Sequence, residues 1–408
     1  MILAALTYGP SESGAERPIV KTDTPVIGVR DEASFKEALA RARAGTTIQL
    51  ADGRYPELSV VNRLFTAPVL IVGSRNVELA GMSFENSKNI VLRGVTVAPP
   101  AQATAEIAVK AASQKIVIDR VLVDGRSEEV GAFIRTTRDT SDVTIQNSAF
   151  TNCGRAGTCV RPGATNLRVI GNRFYDCRSC TFIKGGGNGA LVRRNAFDLA
   201  HNVGCTGGTA TCPHNDLIQI MGGGPWTIVG NRFGNYFAGA AQVYANPGLT
   251  NTSNPIHDLL IASNIFAGDN GGFGIRVGVG EKSTTPPPTN VRIVNNTILS
   301  GQLSSVFLTT SWDQVPVAER PLVANNILRS VHTSCARGRF IGNLVLDAPS
   351  CPHDRVGDPK LNARTKAPTT RSKLIVNRAD GRYAPKTDFY GHRRKGRPDI
   401  GAIELGGR

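Results

Sequence analysis

Apolar and polar positions alternate through most of the stretch from about Ser141 to Leu328, and one short phrase keeps returning there. It reads VTIQNSAF (143–150), LRVIGNRF (167–174), ALVRRNAF (190–197), WTIVGNRF (226–233), LLIASNIF (259–266), VRIVNNTI (291–298) and LVANNIL (322–328). Alternation with period two is a strand pattern rather than a helical one. The closing residues Phe150, Phe174, Phe197, Phe233, Phe266, Ile298 and Leu328 are 24, 23, 36, 33, 32 and 30 residues apart. A spacing in this range marks a repeat architecture. No such unit buries its apolar side alone, so the units must stack. Asn172, Asn195, Asn231, Asn264, Asn296 and Asn326 each fall two residues before the closing residue. That placement predicts an asparagine ladder at a repeated turn, each amide bonding the coils above and below. The pattern as a whole predicts an all-β chain, a parallel β-helix (solenoid).

Residues 1–25 are polar and Pro-rich and are expected to form a poorly ordered leader. A cap is expected over 31–57, coils over 58–350 and a C-terminal clasp over 351–408, all in one domain. In the cap, Asp31 or Ser34 can start a short amphipathic helix that buries Phe35, Ala38, Leu39 and Ala42, with Gly45 ending it. A solenoid needs such a plug, because its open edge would otherwise recruit other chains. Strands are expected at Pro68–Val72, Val77–Leu79, Ile90–Val97 and Ile116–Val123, with a loop over 98–106. From Ile134 onward a second strand follows each asparagine phrase: AFIRTT, TCVRPG, TFIKGG, DLIQIM, AQVYAN, FGIRVG and SVFLTT. The repeat weakens after Arg329. In the tail, Asp388, Arg397 and Asp399 are expected to pair and hold the last turn.

The charge narrows the partners. With 47 Lys and Arg against 32 Asp and Glu, the formal net charge is +15, which suits a polyanion. The basic residues are scattered, without the cluster or reading motif of a nucleic-acid binder. No apolar run is long enough to span a membrane. Nucleic acid and membrane are therefore set aside, an acidic polysaccharide is kept, and the chain is expected to work as a monomer. Eight cysteines, an even number, fit an oxidised protein that is secreted or periplasmic. MILAALTYGP at the start is too short for a full signal peptide and lacks a charged n-region. Cys153 with Cys177, Cys159 with Cys180, Cys205 with Cys212 and Cys335 with Cys351 are the expected pairs.

Two-residue alternation also locates a candidate groove. If Ile134, Val160, Ile183, Ile218, Val243 and Ile275 point inward, their neighbours Arg135, Arg161, Lys184, Gln219, Tyr244 and Arg276 point outward. Coils stack about 4.8 Å apart, so these residues form a vertical, mostly cationic stripe. The long insertions 198–215, 245–257 and 278–290 flank the same strands, and loops in a solenoid gather on the binding face.

The helix followed by LADGRY, the asparagine coils and the closing DFYGHRRKGRPDIGAIE segment resemble the right-handed parallel β-helix superfamily. That superfamily includes the pectate lyases and the alginate lyase/chondroitinase B family. The resemblance covers nearly the whole chain and implies a polysaccharide lyase. β-Elimination on a uronate needs a neutralised carboxylate, a base for the C5 proton and an acid for the leaving oxygen. Lys184, the one Lys of the stripe, is the expected base, as a Lys on such a strand is in that family. Arg161 or Arg276 is expected to neutralise the carboxylate, and His214 or Tyr244 to donate the proton. In CPHNDLIQI (212–220), Asp216 can orient His214 or meet substrate or a cation. Arg135, Gln219 and Trp312 complete the expected substrate contacts, Trp312 by stacking on a sugar face. Trp226 is expected in the core, and His201 and His257 on flanking loops. The family's acidic calcium ligands have no counterpart, Thr181 and Ile183 standing in their place, so the use of calcium or another metal is left open. A β-helix glycoside hydrolase would need carboxylates about 5–9 Å apart, and only Asp216, Asp269 and Glu281 are near. A uronate epimerase and a non-catalytic glycan-binding solenoid remain as alternatives.

Overall fold

The computed structural model describes residues 25–98, 105–126, 132–153, 155–177, 179–198, 216–235, 241–246, 254–268, 272–279, 285–301, 303–347 and 351–406. His201, Cys205, Cys212 and His214 lie outside them. Among the described residues the named strands pair only in parallel, each with its counterpart one coil away. Each coil has three sides. One is a 13-stranded sheet running from Val26–Val29 to Arg339–Ile341. The other two begin joined, because Val77–Glu85 pairs with Thr96–Val97 by its first half and with Ala105–Lys110 by its second. Above that point they part into a narrow column holding the closing aromatics and a broader column carrying the stripe.

The repeated phrase explains the core. Ile145, Val169, Val192, Ile228, Ile261, Ile293 and Val323 sit one above another in register, all buried. Phe150, Phe174, Phe197, Phe233 and Phe266 form a stack with centroids 4.5–5.1 Å apart. Each such pair contributes roughly 0.5–1.5 kcal/mol beyond its burial. The asparagine ladder runs Asn172, Asn195, Asn231, Asn264, Asn296, Asn326, Asn343. Each donates its backbone N–H and its Nδ2 to the next Oδ1 at 2.8–3.0 Å. Before it, Ser148 donates its N–H to Asn172 Oδ1. The ladder thus runs one coil further than the repeat suggests.

It ends on Asp354, whose Oδ1 accepts from both nitrogens of Asn343 while its buried Oδ2 has no hydrogen-bond partner. Burial pushes this carboxyl above its usual range, and the Asn343 bonds pull it only part of the way back. The sign follows. A folded-state pKa above the unfolded value means a stabilising contribution present below the unfolded pKa and lost as pH rises through the folded one. Asp354→Asn keeps the accepting oxygen and removes the charge. It is expected to raise stability at neutral pH by about 1 kcal/mol, with the gain vanishing in acid, as read by thermal melts across pH.

The cap forms as expected at its start and differs at its end. Asp31 caps Glu32–Arg41 through a reciprocal box with Ser34, and Phe35, Ala38 and Leu39 are buried. The helix closes at Ala42, whose N–H still reaches Ala38, and Gly45 belongs to the following turn, where its N–H donates to the Pro68 carbonyl. The loop expected over 98–106 is also shorter, since a strand begins at Ala105.

The residue before each ladder asparagine is left-handed: Arg194, Ser263, Asn295 and Asn325 have φ of 54, 50, 51 and 56°. This turns their side chains outward, and the C-terminal segment lies across them. Arg194 Nη2 donates to the Tyr390 carbonyl, Ser263 Oγ to Thr387, and Asn295 Nδ2 to Asp399. Asp388 and Asp399 hold the last turn in a different way from the pairing expected, by accepting backbone N–H groups of Tyr390, His392, Asn377 and Leu405. Arg397 does not make the ion pair expected of it. Arg394 does, with Glu404 at 2.9 Å and both side chains buried.

Candidate active site

The register assembles the stripe. Arg135 pairs with Arg161, and Val160 with Ile183, which sets Lys184 beside Arg161. Lys184 pairs with Gln219, Gln219 with Tyr244, Tyr244 with Arg276, and Arg276 with Phe307. On the other side the column continues through Ala108, Ser83 and Ser59. The inward partners Ile134, Val160, Ile183, Ile218, Val243 and Ile275 are all buried. Arg135 and Arg161 are exposed; Lys184, Gln219 and Arg276 are half-buried. Cations on neighbouring rungs repel, by about 3 kcal/mol for unit charges ~5 Å apart at an effective dielectric of ~20. A bound polyanion would relieve that repulsion.

Beyond Gln219 the stripe becomes aromatic. The Arg276 guanidinium lies 4.9 Å from the Tyr244 ring, 5.4 Å from Phe273 and 5.7 Å from Phe307. Phe273 and Phe307 themselves pack at 4.8 Å. Such contacts favour a desolvated cation. Arg276 Nε and Gln219 Oε1 are buried and have no hydrogen-bond partner. Tyr244 is 7% exposed, and its hydroxyl accepts from Asn246 Nδ2 at 2.6 Å. Burial pushes its phenol up, while Arg276 and the Asn246 bond pull it down and Asp216 adds to the rise. The phenol is therefore a neutral O–H donor near pH 7. Because Arg276 covers its ring, Tyr244 suits proton donation better than sugar stacking.

Two expected substrate contacts do not reach the surface. Trp312 is fully buried, its Nε1 donating to the Val277 carbonyl. It borders a cavity of about 390 Å³ lined also by Pro286–Pro288 and Val315, but no ring face is open to a sugar. The aromatic that the stripe does present is Phe307. Asp216 is also fully buried, and its Oδ1 accepts from the Ala241 N–H at 2.7 Å, bracing the strand of Tyr244. Trp226 is core, as expected. His257 bonds Asp258 at 2.9 Å, and that contact, with Asn290, holds the Asp258 carboxyl below its usual range. Gly185, Gly186 and Gly187 let coils approach: a Cβ there would lie 2.7 Å from the Pro162 carbonyl oxygen, 3.1 Å from that of Gly222 and 3.2 Å from that of Ala164.

Calcium finds no fitting donor set among the described residues. Thr181 and Ile183 are buried. Among the described residues, the one group of three or more metal-capable side chains is sulfur: Cys153, Cys159, Cys177 and Cys180. Hard cations prefer oxygen.

A family model for right-handed beta helix regions matches residues 44–197. Among solved structures, the PL6 family alginate lyase AlyGC superposes with a TM-score of 0.51 at 14% identity, covering 89% of this chain and 59% of that one. A point mutant of the same enzyme gives 0.57 at 14% identity with the same coverage. The chain thus spans 59% of the length of AlyGC. The pectate lyase Pel9A superposes less well, with a TM-score of 0.43 at 12% identity over 94% of this chain and 97% of that one. No curated protein sequence matches the chain. The fold is a right-handed parallel β-helix, the architecture it shares with AlyGC.

Proposed function

We propose that the chain is an exported polysaccharide lyase that cleaves a uronic-acid polymer by β-elimination in the groove along the stripe. The observation that carries this reading is the continuous rung order Arg135, Arg161, Lys184, Gln219, Tyr244, Arg276. It sets carboxylate-binding cations, a single amine and a neutral phenol along one line. Arg161 holds the uronate carboxylate and stabilises the charge that builds on it as the C5 proton leaves. The Lys184 amine takes that proton, and the C–H electrons become the C4–C5 double bond. The C4–O bond breaks, and the leaving oxygen takes a proton from the Tyr244 hydroxyl. Gln219 stands on the rung between base and acid. Arg276 takes a second carboxylate one rung beyond. His214, just before the Gln219 strand in sequence, is the alternative donor. Two disulfides, Cys153–Cys177 and Cys335–Cys351, support an oxidising location, and no described helix is long and apolar enough to cross a membrane.

Phe307 is the stacking surface of this groove. Phe307→Ala is expected to raise KM roughly 2- to 12-fold, corresponding to about 0.5–1.5 kcal/mol. Because stacking serves ground and transition states alike, kcat should stay within about twofold. Initial rates against substrate concentration check it.

The reading is tested by product masses after incubation with alginate, pectate, glucuronan, hyaluronan, chondroitin and heparin-type chains. Elimination gives oligomers one water lighter than hydrolysis does. Hydrolytic masses, or unchanged chains that incorporate solvent deuterium, would replace the lyase with a hydrolase or an epimerase.

A further inference from the structure

The stripe accounts for only part of the charge. Residues 351–408 carry 14 Lys and Arg against 6 Asp and Glu, which is +8 of the formal +15. A surface that needs only solubility interleaves the two signs; the clasp separates them. Its carboxylates are already engaged. Asp354 closes the ladder, Asp388 and Asp399 accept backbone N–H groups, and Glu404 holds Arg394 in the interior. Asp358 and Asp380 pair with their near neighbours Lys360 and Arg382. Arg378, Lys386, Arg393, Lys395 and Arg397 are all exposed, and none makes an ion pair among the described residues.

Backbone contacts gather these five cations. The Ala379 N–H donates to the Pro398 carbonyl, which brings the stretch of Arg378 against that of Arg397. Thr387 bridges to Arg393, and the Arg394 N–H donates to the Lys386 carbonyl. Exposed Arg194 adjoins them through the Tyr390 carbonyl. The face lies away from the stripe, because Ile375 and Ile400 pack with Ile327 and Leu344, and Ile403 with Ile265, all residues of the narrow column.

We propose that this face of the clasp is a second, non-catalytic binding surface for an acidic polysaccharide, anchoring the enzyme on the polymer it cuts. A face of one sign concentrates a polyanion, and two linked sites on one polymer hold it more tightly than either alone. The choice of polymer rests on the groove reading, since a polyuronate that fills the stripe has further carboxylates to offer. Among its described residues the clasp has no helix to enter a nucleic-acid groove. The stretch 391–397 has no apolar side chain to insert into a bilayer.

Native electrophoresis through gels holding alginate or pectate tests this, in the Lys184→Ala background so that cutting does not intervene. The triple variant Arg393→Gln, Lys395→Gln, Arg397→Gln should weaken retention roughly 10-fold and flatten its salt dependence, because fewer counterions are released. A charge-matched control, Arg41→Gln, Arg43→Gln, Arg75→Gln, takes three exposed cations from the first coils and should keep parental retention. With Lys184 restored, the clasp variant should cut short oligouronates at the parental rate. If no polymer is cut but the clasp variant alone loses retention, the anchor stands without the lyase. Equal retention of the two triple variants would overturn the proposal. So would tighter parental binding to duplex DNA, or to vesicles of equal parts phosphatidylglycerol and phosphatidylcholine, than to either polyuronate.

Discussion

Replacing Lys184 with alanine is expected to lower kcat about 10²- to 10⁴-fold, the usual contribution of a positioned general base, while KM changes little. Lys184 is the one amine on the stripe, between Arg161 and Gln219, and no other side chain there can take its proton. Lys184→Arg should not rescue the rate, because a guanidinium stays protonated and cannot act as base. That failure separates a base from a simple charge, since an electrostatic role would survive the change. Lys184 packs no core, so the melting temperature should stay that of the parent. Arg168→Ala, an exposed residue of the 13-stranded sheet, should leave both constants unchanged. A Lys184→Ala protein with parental kcat would remove the residue from the chemistry.

The largest expected effect on stability belongs to the clasp. Arg394 pairs with Glu404 at 2.9 Å and also donates to the carbonyls of Asp399, Gly401 and Ala402. Burial lowers the Arg394 pKa and raises that of Glu404, and each partner's charge works against that change. Arg394→Met leaves Glu404 buried without its cation, which typically costs about 3–5 kcal/mol. A solenoid opens by parts rather than all at once, so the loss should be local. Hydrogen exchange and limited proteolysis over 375–404 should quicken sharply, with the coils from Ile90 to Ile228 unaffected. The double variant Arg394→Met, Glu404→Met should recover most of the loss. No change in exchange would mean that backbone bonds alone hold the clasp.

Much of the fold is legible in the sequence because a solenoid writes its contacts at short, repeated intervals. Each ladder asparagine and each stacked phenylalanine meets its equivalent in the next phrase, so spacing alone pairs them. The stripe is legible for the same reason: once one strand's inward residue is known, parity orients every rung. Contacts without a period are not legible. Arg394 and Arg397 stand equally well in the tail sequence, and only the path of the clasp selects Arg394. Trp312 follows the last stripe strand, where a buried and an exposed aromatic look alike. Phe307 stands in register with Arg276, but an apolar residue in a polar outward run gives no signal of a site. Ser148 fills the ladder position below Asn172, a substitution that hides one coil from a search for asparagine.

The central claim, elimination in the stripe groove, is tested most directly by ultraviolet absorbance. The purified chain is mixed with each uronate polymer, with a neutral glucan and the Lys184→Ala variant as controls. A double bond conjugated to the new terminal carboxylate absorbs, so the account predicts a rising signal on at least one polyuronate, none on the glucan, and its loss in the variant. A flat trace on every polyuronate, or a rise that survives Lys184→Ala, would contradict it.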